Sequence, residues 1–297
     1  GQLDSFDRSL VDQHWSVEAP FAWFGMQTVV GDAVLLPTRI IDERAICTGV
    51  QGYASASGRF RWSTVLEERV EAFPILLAAD SSVAAVVTSS EVGDPAGDYV
   101  HFNPRVPWFG SLHALDPADG KLLWSRQDVH VESLCVVDGK VFAVVAKPDP
   151  FGRYLLMVDG RSGADLLEPA HILEGLERNW SPTRLLSDGK TVWLSAQLFL
   201  TAIDVRTLEF KYYVGCEDLG QLFDIRIAAT GPALHGVAFG AAGGKRIVIN
   251  GATGELIDEG PDDVAGGRDT GEPVAIHDGA LISKWNGAVF RTRTGEM

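Results

Sequence analysis

One short pattern recurs six times along this chain of 297 residues, and it limits the folds open to the chain more than any other feature. In its clearest copy, SLHALDPADGKLLW at residues 111–124, an apolar run ends in Asp, a turn closes on Gly, and a second apolar run ends in Trp. The copies lie roughly 40 to 60 residues apart, a period typical of small structural repeats. Aligned on the turn, the six positions are Gly58, Gly120, Gly163, Leu208, Gly254 and Gly295.

Each copy has the chemistry of a β-hairpin. Most copies carry Asp or Asn four residues before the aligned position, and such a side chain caps the amides of its own turn. Gly then adopts the positive φ that closes the turn. Leu208 stands at the Gly position in the fourth copy, so we expect the turn there to differ from the others.

A second element, in which a turn joins two apolar runs, precedes each hairpin, as in CVVDGKVFAVV at residues 135–145. Each repeat therefore predicts four short strands, which we name a to d, and no segment has a helical periodicity of useful length. Four-stranded units at this period are typical of a β-propeller, in which sheets called blades stack around a channel. The predicted blades span residues 21–68, 72–127, 133–170, 180–214, 224–259 and 272–297.

The last repeat contains strands a to c only, and the N-terminal segment DQHWSVE at residues 12–18 alternates like a strand. We expect this segment to pair as the outermost strand of the last blade, because such pairing closes the ring and removes a free sheet edge. The predicted fold is all-β. It is a single six-bladed β-propeller domain over residues 1–297, closed by pairing of the N- and C-terminal strands.

The segment ALDPADGKLLW resembles the repeat of pyrroloquinoline-quinone-like propellers, the quinoprotein alcohol dehydrogenase-like superfamily. Trp62 and Trp124 occupy the position of that family's Trp on strand d, whereas Leu167, Tyr212 and Asp258 replace it in other copies. The quinone-dependent enzymes of the family have eight blades and an adjacent pair of Cys residues, and this chain has neither. The resemblance therefore implies the fold and not the cofactor. We expect no cofactor, pyrroloquinoline quinone included, with a divalent cation as the open alternative.

The chain is acidic, with 25 Lys and Arg against 40 Asp and Glu, a net charge of −15 and a pI near 4.8. Nucleic acid and anionic membranes bind basic faces, so both are disfavoured as partners. No apolar run has the length of a membrane helix, and the widely spaced Cys47, Cys135 and Cys216 fit buried thiols in a reducing compartment. We expect a cytoplasmic protein, with a periplasmic or secreted location left open.

The family resemblance implies that the b–c and d–a loops surround the channel mouth, on the side that we name the loop face. The a–b and c–d turns lie on the opposite side, the turn face. The longest b–c loop runs from Glu91 to Gly110 and carries His101, Arg105 and Trp108, which we predict as binding residues. Long irregular loops in a compact domain are more often functional than not.

A second candidate site is the segment DVHVE, which leads into strand a of the third blade. Asp128, His130 and Glu132 alternate along an extended chain and so share one face. Two carboxylates beside an imidazole are suited to ligating a metal ion or tuning a general base, which makes these three the candidate catalytic and metal-ligating residues. The plainer alternative is a solvated polar face on a connecting strand. GxSxG, HExxH and P-loop motifs are absent.

Two classes of function follow. The favoured one is a non-catalytic binding propeller that presents an acidic loop face to a protein partner, and a basic partner in an inhibitor- or immunity-like role fits the charge. The alternative is an enzyme with its site at the channel mouth, either a metal-dependent hydrolase or a small-molecule cyclase. A bound divalent ion, or a deep apolar pocket with convergent polar groups, discriminates in favour of the enzyme.

Overall fold

The computed structural model describes residues 2–6, 13–18, 27–42, 45–67, 73–89, 110–127, 129–148, 151–173, 183–196, 199–215, 221–227, 233–240, 243–261, 272–277, 280–285 and 288–293. The regular elements in these residues are all β-strands in antiparallel sheets, which confirms the all-β prediction. Within the same residues, no helix is long and apolar enough to cross a membrane. The chain divides into two compact units, Gly1–Trp180 and Ser181–Met297.

The first unit contains a hairpin and three four-stranded sheets, in which each strand pairs with the next one along the chain. The hairpin pairs β1 (Gln2–Phe6) with β2 (Gln13–Glu18). The strands of sheets 1 to 3 are β3 (Thr28–Val30), β4 (Ala33–Asp42), β5 (Ala45–Ala54), β6 (Phe60–Glu67), β7 (Phe73–Ala79), β8 (Ala84–Ser89), β9 (Gly110–Leu115), β10 (Leu122–Gln127), β11 (His130–Val137), β12 (Lys140–Pro148), β13 (Phe151–Asp159) and β14 (Ala170–Leu173).

The second unit contains sheets 4 and 5, with four strands each, and sheet 6, with three described strands, again in chain order. Its strands are β15 (Arg184–Ser187), β16 (Thr191–Ala196), β17 (Phe199–Asp204), β18 (Phe210–Gly215), β19 (Gln221–Ile227), β20 (Ala233–Gly240), β21 (Gly243–Asn250), β22 (Leu256–Pro261), β23 (Glu272–His277), β24 (Ala280–Trp285) and β25 (Ala288–Arg293). Five of these sheets have four strands in chain order, the arrangement that the repeat predicts. The blade boundaries and the single domain over residues 1–297 stay predictions.

The N-terminal segment requires a correction. Residues 13–18 form a strand, as predicted, but the strand pairs with β1 and not with the last blade, whose described part is the sheet β23–β25. A neighbouring segment is the partner that costs least loop entropy, and an alternating pattern alone does not reveal which partner a strand takes. The closed six-bladed ring stays a prediction.

The c–d turns fold as their sequence predicts. In sheet 3, the Asp159 carboxylate accepts hydrogen bonds from the backbone N–H groups of Arg161 and Ser162, at 3.2 and 2.8 Å. The N–H of Gly163 then donates to the Asp159 carbonyl at 2.8 Å and closes the turn with a φ of 71°. Equivalent caps are made by Asp116, Asp204 and Asn250.

The turn at Leu208 does not differ, contrary to our expectation. Leu208 adopts a φ of 62°, and its N–H donates to the Asp204 carbonyl at 2.8 Å, as the glycines do in the other copies. The Asp204 cap and the flanking strands β17 and β18 hold this conformation, although a left-handed conformation costs a residue with a side chain about 1–2 kcal/mol.

Aromatic side chains on strand d join consecutive sheets in the first unit. The Trp124 ring lies on Gly163 of the next sheet so closely that a Cβ there would be 2.8 Å from Trp124 Cγ. Trp124 Nε1 also donates to the carbonyl of Gly160 at 2.7 Å. Trp62 lies on Gly120 in the same way. The residues that resemble the family repeat therefore make the contact between blades.

Tyr212 takes the same place in the second unit. A Cβ at Gly254 would lie 2.7 Å from the Tyr212 ring, and the Tyr212 hydroxyl donates to the carbonyl of Gly251 at 3.1 Å. Sheet 3 departs from the pattern, because Leu167 is 44% exposed and strand d pairs from residue 170 onward. Pro169 lacks an N–H for the ladder at this point, which explains the late start.

Candidate functional site

Strand β11 carries two of the predicted site residues, His130 and Glu132, and the second of them lies at a β-bulge. The pairing of β11 with β12 shifts between Val131 and Ser133, so Glu132 is the extra residue. The first strands of sheets 2, 5 and 6 shift at the equivalent point, around Ile75, Phe223 and Val274. A bulge changes the direction of side chains locally. In sheet 3 the side chain at the bulge is the Glu132 carboxylate.

The carboxylate of Glu132 forms an ion pair across the sheet. Its Oε2 lies 2.7 Å from Nε of Arg153 on β13, and the two side chains are only 16% and 15% exposed. Removing one partner from such a pair leaves a mostly buried charge, which costs several kcal/mol. The guanidinium therefore fixes the carboxylate in one position.

His130 lies in the same row of the sheet as Arg153. His130 pairs with Ala146, and Ala146 pairs with Arg153, and directly paired residues point to one face. Burial, and secondly the positive charge of Arg153, lower the pKa of His130 to about 4. The imidazole is therefore neutral at pH 7, with one nitrogen that donates and one that accepts a hydrogen bond.

The end of the long b–c connection approaches this cluster. Strand β8 ends at Ser89 and β9 begins at Gly110, whereas only two residues separate the second and third strands in each of the other five sheets. The N–H of Val129, next to His130, donates to the Gly110 carbonyl at 3.1 Å. A Cβ at residue 110 would lie 2.5 Å from the Val129 carbonyl oxygen, so this approach requires glycine.

Four of the predicted site residues lie outside the described residues: His101, Arg105, Trp108 and Asp128. Their assignments stay predictions. In the part of the chain that is described, no group of three or more His, Cys, Asp and Glu side chains is placed to hold a metal ion. The metal-site prediction includes Asp128 and is not tested by that finding.

Sequence reasoning missed Arg153. It lies at the start of an apolar strand, in FGRYLLMVD, and a single charged residue there is the only signal that the sequence offers. The bulge at Glu132 gives no sequence signal, because DVHVE reads as regular alternation. His130 and Glu132 are nevertheless linked, since each interacts electrostatically with Arg153.

A second polar cluster lies in sheet 2, around the buried His113. Its Nδ1 is 2.9 Å from Ser125 Oγ, and its Nε2 is 3.1 Å from Thr88 Oγ1 and 3.4 Å from Glu67 Oε1. Burial lowers the pKa of His113, and the negative charge of Glu67 opposes that shift.

The two described cysteines, Cys47 and Cys135, are free. Burial, and secondly the charge of Asp80, raise the pKa of Cys135 to about 12. The Cys135 thiol is therefore protonated at neutral pH and is a poor nucleophile or metal ligand.

The chain matches no known protein-family profile and no curated protein. Among solved structures, it is similar to one described as the crystal structure of the mitotic checkpoint complex, with a TM-score of 0.52 and 14% identity over 84% of this chain and 67% of that one. A structure described as the Dos1 propeller gives a TM-score of 0.45 and 12% identity over 84% of this chain and 63% of that one.

These findings define a class of protein. Successive four-stranded antiparallel sheets, joined through aromatic residues on strand d and repeated turns, are the blades of a β-propeller. At such low identity, the similarity to solved structures supports the fold alone. Neither structure supports the narrower assignment to the pyrroloquinoline-quinone-like superfamily.

Proposed function

We propose that this chain is a non-catalytic binding propeller whose loop face receives a protein partner with a basic surface. The observation that carries the proposal is the contact between Gly110 and Val129. Gly110 directly follows, in the sequence, the long b–c connection that carries Trp108, and Val129 directly precedes the strand that carries His130 and Glu132. Two features that were singled out independently in the sequence are thus each adjacent along the chain to one residue of this contact.

The cluster on β11 and β13 is better suited to recognition than to acid–base chemistry. The Glu132 carboxylate is held by Arg153, and the His130 imidazole is neutral at pH 7. A general base works best when its pKa lies near the working pH, and about 4 is far below it. A fixed carboxylate and a neutral imidazole instead offer positioned hydrogen-bonding groups to a partner.

The charge of the chain favours a basic partner. The net charge is −15, and in the sequence the loops of this face hold more Asp and Glu than Arg. A surface of one sign speeds encounter with an oppositely charged partner, and salt weakens the effect as the Debye length falls. We therefore expect the partner to associate more slowly as the salt concentration rises.

The test selects ligands from a displayed library of basic peptides and measures their affinity by calorimetry. Trp108→Ala and the double variant His130→Gln with Glu132→Gln should weaken binding by about tenfold or more, since buried interface anchors carry most of the binding energy. The controls are Lys140→Gln and Lys190→Gln on the turn face, which should change the affinity by less than about twofold. Loss of binding in the controls, with full binding in the loop-face variants, would refute the proposal. Melting temperatures show whether each variant is folded.

A further inference from the structure

Sheet 2 holds a row of polar side chains that the proposed binding function does not use. Ser125 on the outer strand β10 pairs directly with His113 on β9, so both side chains point to the same face of the sheet. The Ser125 hydroxyl lies 2.9 Å from His113 Nδ1. This is hydrogen-bond distance between a hydroxyl and an imidazole nitrogen.

The other imidazole nitrogen faces a hydroxyl, which can donate or accept a hydrogen bond, and a carboxylate. His113 Nε2 is 3.1 Å from Thr88 Oγ1 and 3.4 Å from Glu67 Oε1. An ionised carboxylate only accepts hydrogen bonds, so Glu67 favours the tautomer in which Nε2 carries the proton. The lone pair of Nδ1 is then available to accept the proton of the Ser125 hydroxyl.

Exposure differs along the row. His113 is 1% exposed and the Glu67 side chain 14%, whereas Ser125 is exposed. A reagent in solution therefore meets the serine hydroxyl while the imidazole and carboxylate remain covered. An activated serine has this order of groups: nucleophile, base, and a third group that orients the base.

We propose that Ser125 is a reactive nucleophile, with His113 as its general base and Glu67 as a positioning residue, and that it accepts acyl groups from activated esters. With p-nitrophenyl acetate, Ser125 Oγ forms a bond to the acetyl carbon as its proton moves to His113 Nδ1. The bond from the acetyl carbon to the aryl oxygen then breaks, and p-nitrophenolate leaves with the electron pair. The imidazolium releases its proton to water, and the product is O-acetyl-Ser125.

The repeat supplies a matched internal control. Ser63 on β6 follows Trp62 as Ser125 follows Trp124, and it is also exposed. Its cross-strand partner is Gln51 rather than a histidine. Ser63 therefore shares the strand position of Ser125 but lacks a general base.

The experiment treats the full chain with p-nitrophenyl acetate and quantifies acetylated peptides by mass spectrometry. Ser125 should be acetylated about 100-fold faster than Ser63, the size of effect typical of a positioned base. His113→Gln should reduce acetylation of Ser125 to the Ser63 rate, and Ser125→Ala should abolish the adduct in its peptide. Equal rates at Ser125 and Ser63 in the unmodified chain would overturn the proposal, and this comparison does not depend on any variant folding.

The positioning role of Glu67 has its own readout. The acetylation rate should fall in acid as His113 becomes protonated, and Glu67→Gln should move the midpoint of that fall to lower pH, because the carboxylate stabilises the imidazolium. A purely structural role would leave the midpoint unchanged in folded protein. An unchanged midpoint in a variant with a normal melting temperature would remove Glu67 from the assignment.

Discussion

Leu208 is one of two non-glycine residues with positive φ in the described part of the chain, the other being Asp138 in the turn before β12. Its conformation is imposed by a turn whose hydrogen bonds match those of the glycine-containing copies. A residue with a Cβ bears a cost of about 1–2 kcal/mol in this region. The backbone of Leu208 is therefore strained, and the pairing of the surrounding strands offsets the cost.

Leu208→Gly should raise the free energy of unfolding by about 1 kcal/mol, because relief of the backbone strain exceeds the added entropy of the unfolded chain. Urea denaturation measures the change. Leu208→Ala is the control, since it shortens the side chain but keeps the strained φ, and it should bring no gain. Equal stabilisation by both variants would mean that the side chain, not the backbone, is responsible.

His130 makes stability depend on pH in a direction set by its pKa. The folded-state pKa of about 4 lies below the value of 6.5 of an unperturbed histidine. The unfolded chain therefore binds more protons between these two values, and stability falls as the pH drops through that range. Protonation of His130 in the unfolded chain therefore lowers the free energy of unfolding by on the order of 2 kcal/mol between pH 7 and pH 5.

Replacing His130 with Gln should remove that part of the pH dependence. Urea unfolding of both proteins at pH 7 and pH 5 gives the comparison, and the wild type should lose more stability than the variant. The pH dependence of stability that remains in the variant comes from the other titrating groups, among them His113. An equal loss of stability from pH 7 to pH 5 in the two proteins would show that His130 titrates normally and is not buried beside Arg153.

At the scale of elements, the contact between a strand-d aromatic and the turn glycine of the next sheet is the unit that repeats. Gly163 has both a positive φ, 71°, and the Trp124 ring against it. Gly189, in the a–b turn of sheet 4, has a φ of 91° with no atom within 4 Å of an added Cβ. The two glycines thus share the backbone requirement and differ in packing.

Gly163→Ala should destabilise the chain more than Gly189→Ala. Gly189→Ala should cost about 1–2 kcal/mol through the backbone alone, while Gly163→Ala also displaces the Trp124 ring, for a further 1–3 kcal/mol or so. Chemical denaturation of the two variants, with Trp fluorescence as the probe, measures the difference. Equal losses would mean that the ring yields freely and the stacking contributes little.

The sequence predicted the elements well because turn chemistry is local. Asp and Asn caps, small residues before the turn and glycine at positive φ are all defined within a few residues, so the strand boundaries followed from them. Pairing partners and side-chain contacts across strands are not local. The pairing of β2 with β1, the bulge at Glu132 and the ion pair with Arg153 therefore had to come from the structure.

At the scale of the whole molecule, repetition separates structural from functional residues. Positions that recur in several sheets, such as the turn caps and the strand-d aromatics, have the same structural role in each copy that carries them. Residues found in one copy only have no such role to share. The long connection before Gly110 and the cluster of His130, Glu132 and Arg153 belong to this second class, and the contact between Gly110 and Val129 links the residues next to each.

The central claim is that this chain binds through its loop face. Hydrogen–deuterium exchange of the full chain, with and without a selected basic peptide, tests it directly, because amides covered by a ligand exchange more slowly. We expect slower exchange in residues 90–110 and 129–134 and unchanged exchange in the turn-face segments 116–121 and 136–141. Protection confined to the turn-face segments would show that the peptide binds the opposite face.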